Sequence, residues 1–113
     1  MAIVSILSSL KDQIIKKFGG ESKEVFKLMD SLRDSPKKGK IIGNVGGVVI
    51  KELKYKNLRL YFITDGFKLK CMDEKELTDL LLRFVRMSDK KHQQKVIDEI
   101  RYILRNLGGE EFE

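Results

Sequence analysis

A series of short apolar segments between residues 40 and 72 limits this chain to a small number of folds. The segments 41–42, 48–53, 58–64 and 67–72 are rich in β-branched and aromatic residues, which are typical of strands. Turn residues separate them. The last separator is Asp65-Gly66, a dipeptide that tolerates the positive φ of a tight hairpin turn. Because consecutive strands with short turns pair antiparallel, the series predicts a meander of about four strands.

The residues before this series predict a helical hairpin. Apolar side chains recur every three or four residues from Leu10 to Phe18, and a second such face follows Ser22, a candidate helix cap. Glycines 19 and 20 end the first helix, and Pro36 disfavours helix at the residue before it. Residues 2–7 are rich in β-branched side chains, so they form either a helix start or a short strand.

The residues after the series contain one ambiguous segment and one predicted helix. Residues 77–85 fit either a helix face or the alternation of a strand. Ser88 is a plausible cap for a last helix over residues 89–107, which glycines 108 and 109 end. The acidic tail, residues 110–113, is expected to fray. The chain is therefore predicted to be one α+β domain, 1–113, with an N-terminal helical hairpin, an antiparallel sheet and a C-terminal helix.

Charge and cysteine content narrow the function. The net charge is +6, and a basic excess on a small domain favours acidic partners such as nucleic acid or an acidic protein. Cys71 has no second cysteine for a disulfide, and we expect it to be a small buried residue in a reducing, cytoplasmic compartment. No metal site, cofactor site or membrane-spanning segment is expected.

Basic residues of the strand-rich half are the candidate binding residues. Arg59 lies in the apolar segment LRLYFI, so we expect it to be partly buried and to need an acceptor. Glu52 in the neighbouring strand is the internal candidate, and a phosphate is the alternative. Tyr61 shares a strand face with Arg59, which would suit a phosphate backbone and a stacked base. The further candidates are Lys51, Lys54, Lys56, Lys68, Lys70, Arg83, Arg86, Lys90, Lys91 and His92. The ordinary interpretation of any one lysine is a solvated sheet face, and His92 alone is more often a surface residue than a catalyst.

The order of these segments resembles the RelE/ParE superfamily of toxins, in particular its HigB-like branch. The matching features are the turn with Pro36 and Gly39, the segment 52–54 (ELK), the segment 59–62 (RLYF) and the segment 84–91 (FVRMSDKK). The sequence departs from the family pattern at Lys54, where arginine is usual, and at Met87, where a basic residue is usual. The resemblance implies a RelE-like fold.

The same resemblance implies a toxin of a type II toxin–antitoxin pair. Its activity would be ribosome-dependent cleavage of mRNA, and an acidic antitoxin would neutralise it. In such cleavage the 2′-hydroxyl attacks its own phosphorus, so the site needs a base, an acid and cations that stabilise the phosphate. The implied catalytic residues are Arg59, Arg86, Lys54, Lys90 and His92, and the implied RNA-binding residues are Lys51, Tyr61, Arg83, Lys91 and Lys68.

Three alternatives remain open on the sequence. The same fold could be a binding module without catalysis, which engages nucleic acid or a protein. It could be a gyrase-directed toxin of the ParE type. It could also be a purely structural or interaction protein without salt-dependent affinity for RNA. Fold transfers between relatives more safely than activity.

Overall fold

Five strands form one mixed sheet in the order β1-β5-β4-β3-β2. The computed structural model describes residues 1–108 and Phe112. The strands are β1 (Ile3–Ile6), β2 (Lys40–Val45), β3 (Val48–Tyr55), β4 (Leu58–Asp65) and β5 (Leu81–Asp89). The helices are α1 (Ser8–Phe18), α2 (Ser22–Asp30), α3 (Gly66–Cys71) and α4 (Gln93–Asn106). The predicted α+β class, with a helical hairpin before the sheet and a helix after it, is confirmed.

The predicted meander forms three adjacent strands, β2, β3 and β4, and strands β5 and β1 extend the sheet beyond β4. Strands β2, β3 and β4 are joined by short turns and pair antiparallel. Strand β5 adds antiparallel to β4, so the strand alternative for residues 77–85 is confirmed, shifted toward Asp89. Strand β1 pairs parallel with β5, with Ile3 opposite Leu81. The strand alternative for residues 2–7 is therefore also confirmed.

The two faces of the sheet are covered by different helices. On one face the hairpin of α1 and α2 packs over the sheet, and Phe18 meets Tyr55 edge to face with ring centroids 5.5 Å apart. The rings of Phe62 and Phe84 pack together in the same core with centroids 4.8 Å apart, and both side chains are fully buried. Burying such a side chain contributes about 1.5–3 kcal/mol. Helix α4 covers the opposite face with three buried isoleucines, at 97, 100 and 103.

The prediction of a strand over residues 67–72 is wrong, because this segment is helix α3. The carboxylate of Asp65 accepts hydrogen bonds from the backbone N–H groups of Phe67 and Lys68, at 2.9 and 3.1 Å. Asp65 therefore caps a helix instead of starting a hairpin turn. Aspartate followed by glycine suits both roles, and local chemistry does not separate them. Cys71 ends this helix and is exposed, so its predicted burial is also wrong.

Two predicted helix caps have other roles. Ser88 is buried in strand β5, and α4 begins four residues later than predicted, at Gln93. Ser22 lies inside α2, and its hydroxyl donates to the carbonyl of Ile14 at 3.3 Å, which ties the two hairpin helices together. The predicted end of α4 at glycines 108 and 109 and the predicted frayed tail lie partly outside the described residues. Of that tail, Phe112 is described, and its side chain is buried.

The turn before β2 contains a glycine in close contact with the sheet and is bonded to a buried lysine of β3. Gly39 has φ +101°, and a Cβ built there would lie 3.1 Å from both the carbonyl oxygen of Glu52 and the ring of Phe62. The ammonium of Lys51 donates to the carbonyls of Lys37 and Lys38, at 2.9 Å each. These lysine bonds hold the turn against the sheet. Position 39 therefore needs glycine, both for its positive φ and because a Cβ would lie too close to the sheet.

Candidate nucleic-acid interface

Three polar side chains stand side by side near one end of the sheet, on the face that α4 partly covers. Lys54 of β3 is opposite Arg59 of β4, and Arg59 is opposite Ser88 of β5. Residues opposite each other on neighbouring strands point to the same face. The register of the meander therefore brings together residues that are up to 34 positions apart in sequence.

Two of these residues, Lys54 and Arg59, line a depression of about 450 Å³. We call it the basic depression. It is lined by Lys54, Lys56, Asn57, Arg59, Asp89, Lys90 and Lys91. Five of its lining side chains are cationic and one is anionic. Lys56 and Asn57 form the turn between β3 and β4, and Lys56 takes a left-handed conformation with φ 52°. This turn forms one wall of the depression, and the end of β5 forms the other.

Arg59 is anchored at this site by an internal carboxylate. Its Nε lies 2.8 Å from an oxygen of Glu52, with only 12% and 9% of the two side chains exposed. The internal pairing expected from the sequence is therefore confirmed. A guanidinium carries five N–H donors, so the contact through Nε leaves its two terminal nitrogens for another acceptor. Glu52 thus orients Arg59 beside the depression and also offsets part of its charge.

Three ammonium groups of the depression have no carboxylate partner among the described residues. These belong to Lys54, Lys90 and Lys91, all of which are exposed. Lys56 is different, because it pairs with Glu21 at the hairpin. Tyr55 donates to the same oxygen of Glu21 at 2.9 Å, and these hydrogen bonds, led by that of Lys56, lower the pKa of Glu21. The depression therefore keeps a local positive excess that suits an anion with several negative charges.

Asp89 and His92 form a hydrogen-bonded pair at the edge of the depression. One oxygen of Asp89 accepts from the backbone N–H of His92 and contacts its Nδ1, both at 2.8 Å. These two contacts, the backbone one first, lower the pKa of Asp89. Because a carboxylate only accepts, Nδ1 carries the proton in this contact, and Nε2 remains the free ring nitrogen. His92 itself does not line the depression, whereas its partner does.

Arg86 lies one row away from Arg59 on the same face but outside the depression. It is opposite Tyr61 in β4, and its Nε contacts Glu99 of α4. Its guanidinium also lies over the ring of Phe112, 5.2 Å from the ring centre. The sequence grouped Arg86 with Arg59 and Lys54. The structure places it on their face but engages it with α4.

Two predicted RNA contacts are structural residues instead. Tyr61 is fully buried, and its hydroxyl pairs with that of Ser88 at 2.8 Å, so the prediction that it stacks a base is wrong. Burial raises the pKa of this phenol. Lys51 is 2% exposed and bonded to two carbonyls, so the prediction that it contacts RNA is also wrong. Alternation along a strand identifies a shared face without showing whether a helix covers it.

Lys68 and Arg83 lie at the far end of the sheet from the basic depression. Both line another cavity, of about 480 Å³, between the start of β5 and helix α3. Lys68 lies on α3 and pairs with Asp79 at 3.4 Å. The sequence had assigned Lys68 to a strand of the sheet. Residues 66–71 form helix α3 instead, and this helix carries Lys68 to the far end. The predicted RNA-binding set is thus divided between two ends of the molecule.

The sequence missed two residues of the depression as parts of a site. Asn57 was assigned only to the turn that it shares with the candidate Lys56, and Asp89 was assigned to the start of a helix. The signal for Asn57 was its position, since the β3–β4 turn must meet the end of whichever strand follows β4. That signal required knowledge that β5 is a strand beside β4.

Within residues 1–108 and Phe112, no group of three or more His, Cys, Asp and Glu side chains is placed to hold a metal ion. Helices of this part of the chain are too short or too polar to cross a membrane. Comparison of the chain with protein-family models, with curated proteins and with solved structures found no match in any of the three.

Proposed function

We propose that this chain is the toxin of a toxin–antitoxin pair and cleaves mRNA on the ribosome. The observation that carries the proposal is the convergence of Lys54, Arg59, Lys90 and Lys91 on one depression. Three of these cations have no carboxylate partner within residues 1–108 and Phe112, so an RNA phosphate would gain charge-assisted hydrogen bonds without displacing a described carboxylate. The resemblance of the segment order to RelE-like toxins supports the same proposal, and it also suggests an acidic antitoxin as partner.

The proposed reaction is transfer of a phosphoryl group within the RNA chain. The 2′-oxygen forms a bond to the adjacent phosphorus, and the bond from phosphorus to the 5′-oxygen breaks. The proton of the 2′-hydroxyl passes to a base, and an acid gives a proton to the leaving 5′-oxygen. Arg59, Lys54 and Lys90 would stabilise the extra negative charge on the phosphate. We assign Nε2 of His92, oriented by Asp89 at the edge of the depression, as the base that takes the proton of the 2′-hydroxyl. The ammonium of Lys91, which lines the depression, is the acid that gives a proton to the 5′-oxygen.

Arg86 has no direct role in this version of the site. It contacts Glu99 and Phe112, so it would have to leave both in order to reach a phosphate in the depression. We assign it to the packing of α4 on the sheet.

Induced expression in a bacterial host tests the proposal. We expect growth arrest and mRNA fragments that carry a 5′-hydroxyl and a 2′,3′-cyclic phosphate, because attack by the 2′-oxygen leaves those ends. Arg59→Ala should reduce cleavage on purified ribosomes about 10²-fold, the usual effect of removing one group that stabilises charge in a transition state. Lys16→Ala, an exposed lysine of α1 that does not line the depression, is the matched control. Undiminished cleavage by Arg59→Ala would remove the depression from the mechanism.

A second candidate, RNA binding without cleavage, is favoured by one observation. Both guanidiniums that the family resemblance places in catalysis are already paired with carboxylates, Arg59 with Glu52 and Arg86 with Glu99. Two ribosome-bound mRNAs separate the candidates, one unmodified and one with a 2′-deoxynucleotide at the cleaved position. A nuclease cleaves the first alone, whereas a binding module retains both intact.

A further inference from the structure

A second surface of the molecule combines an apolar floor with a basic rim. We call it the edge groove. It lies between the turn that precedes β2 and helix α3, and its volume is about 440 Å³. Three apolar residues, Ile41, Val49 and Leu69, form the floor together with the buried Lys51. Two exposed lysines, Lys37 and Lys70, form the rim. Among the residues that the structure describes, none lines both this groove and the basic depression.

The groove opens at the β2 edge of the sheet, where the carbonyl of Ile42 accepts from the guanidinium of Arg101 in α4 at 3.4 Å. Strand β2 is the last strand in the sheet order, so the outer side of its backbone has no strand partner among the described residues. Ile41 of this strand is 61% exposed, although Lys51, its neighbour in β3, is buried, as is Phe62 opposite Lys51 in β4. An exposed edge with a large apolar side chain is a surface on which an extended segment of another protein can add as a strand.

The charge of the groove selects the partner. No carboxylate is among the described residues that line it, and Lys37 and Lys70 form no ion pair within the described part of the chain. Their ammonium groups flank an apolar floor without an aromatic face, whereas single-stranded nucleic acid favours aromatic side chains on which bases stack. Residues i, i+2 and i+4 of an added strand face the same side, so a segment whose groove-facing positions combine carboxylates with apolar side chains would satisfy both the rim and the floor.

We infer that the edge groove binds an extended, acidic segment of a partner protein along β2. The apolar side chains of that segment cover Ile41, Val49 and Leu69, and its carboxylates meet Lys37 and Lys70. This binding is separate from RNA binding, because the two surfaces have different linings. The partner and an RNA therefore occupy the molecule at the same time, and each has its own set of disabling variants.

Titration of the full chain with a defined peptide tests the inference. The probe is an acetylated, amidated peptide of about nine residues, an edge-strand length, in which the five odd positions read Glu, Val, Val, Val, Glu and the four even positions are Thr. We expect saturable binding, slower hydrogen exchange at the amides of β2, and no competition by a single-stranded oligonucleotide. The double variant Lys37→Glu/Lys70→Glu should weaken the peptide at least about tenfold, since two like-charge contacts replace two favourable ones. Ile41→Ser tests the floor separately and should also weaken it.

Matched variants make each outcome decisive. Lys16→Glu/Lys23→Glu reverses two exposed charges on α1 and α2 and should leave peptide affinity unchanged. Unfolding temperatures of all variants check that the fold persists. The inference is overturned if the peptide does not bind, if it protects the basic depression instead of β2, or if the charge reversal at Lys37 and Lys70 has no more effect than the control. Protection of β2 by the oligonucleotide, lost in Lys37→Glu/Lys70→Glu, would assign the groove to RNA and also overturn it. Loss of RNA binding in Lys54→Glu/Lys90→Glu bears only on the proposed function.

Discussion

The side chain of Lys51 lies inside the fold, with its ammonium between two backbone carbonyls. Burial lowers the pKa of this amine from the ordinary lysine value of 10.5, and the neighbouring charge of Lys37 lowers it further. Between the folded pKa and 10.5 the unfolded chain therefore binds more protons, so the contribution of Lys51 to the free energy of unfolding rises with pH over that interval. Below it, the buried charge costs stability.

Lys51→Met should remove this pH dependence. We expect the difference in free energy of unfolding, wild type minus variant, to increase as the pH is raised from neutral to 10.5. Urea denaturation at a series of pH values measures it. Tyr61, whose pKa is raised by burial, loses stabilising effect as the pH rises past its unfolded value, but it does so equally in both proteins. A constant difference across the series would contradict the buried-charge explanation.

Glu52 and Arg59 should behave as a coupled pair in stability measurements. Removing one partner leaves the other charge with at most 12% of its side chain exposed, a loss typically worth about 3–5 kcal/mol. We therefore expect Glu52→Ala to lower the free energy of unfolding by about 3 kcal/mol. The double variant Glu52→Leu/Arg59→Met should recover most of that loss, because it leaves no unpaired charge. Additive losses in the double variant would show that the pair is not coupled.

At the scale of secondary-structure elements, the turn from Pro36 to Gly39 offers a test of close packing. Gly39→Ala must accommodate both a positive φ and a Cβ 3.1 Å from Glu52 and Phe62, so we expect a loss of about 1–3 kcal/mol. Gly46→Ala is the matched control, since Gly46 has φ +57° and open space around it. Thermal unfolding should show a larger decrease for the first variant. Equal decreases would mean that the backbone conformation alone decides the cost.

The connection from β5 to α4 should be sensitive to acid. Asp89 holds the residue before α4 through two contacts with His92, and these lower the pKa of its carboxyl below 3.8. Its stabilising contribution is therefore present above pH 3.8 and is lost as the pH falls through the folded pKa. We expect Asp89→Ala to unfold at a lower temperature than wild type at pH 6, with the gap narrowing as the pH falls below 3.8. A gap that stays constant with pH would contradict the contribution of this carboxylate.

Sequence reasoning succeeded where spacing and turn chemistry agreed. Strands β3 and β4 follow from β-branched segments on either side of Lys56-Asn57, and helix α1 follows from a continuous apolar face. It failed at Asp65-Gly66, because an aspartate can cap a helix as well as start a turn, and the choice depends on what residues 66–71 pack against. Strand β5 stayed ambiguous for a related reason. Its pairing with both β1 and β4 is a long-range contact that leaves no local pattern.

The site was predictable in part for the same reason. Arg59 and its partner Glu52 could be inferred from an arginine in an apolar strand next to a strand with a carboxylate. Lys54 was named as a basic residue and through the family resemblance, and the structure places it opposite Arg59. Burial of Tyr61 and Lys51 could not be inferred, since it depends on how helices and turns cover the sheet faces. Arg86 was separated from the depression by Glu99, which lies in a helix whose packing the sequence does not specify.

At the scale of the whole molecule, the net charge of +6 matters less than the position of the lysines that have no carboxylate partner among the described residues. Lys54, Lys90 and Lys91 gather at one depression, so RNA affinity should depend on salt through these groups in particular. Each phosphate contact with single-stranded RNA contributes about −0.7 to the slope of log affinity against log salt concentration. We expect Lys54→Ala/Lys90→Ala/Lys91→Ala to make that slope less steep by about 2. Replacement of three exposed lysines elsewhere, Lys16, Lys23 and Lys75, preserves the same net charge change and should leave the slope nearly unaltered. Equal slopes for the two triple variants would mean that RNA responds to the total charge of the protein, and the basic depression would lose its claim to be the binding site.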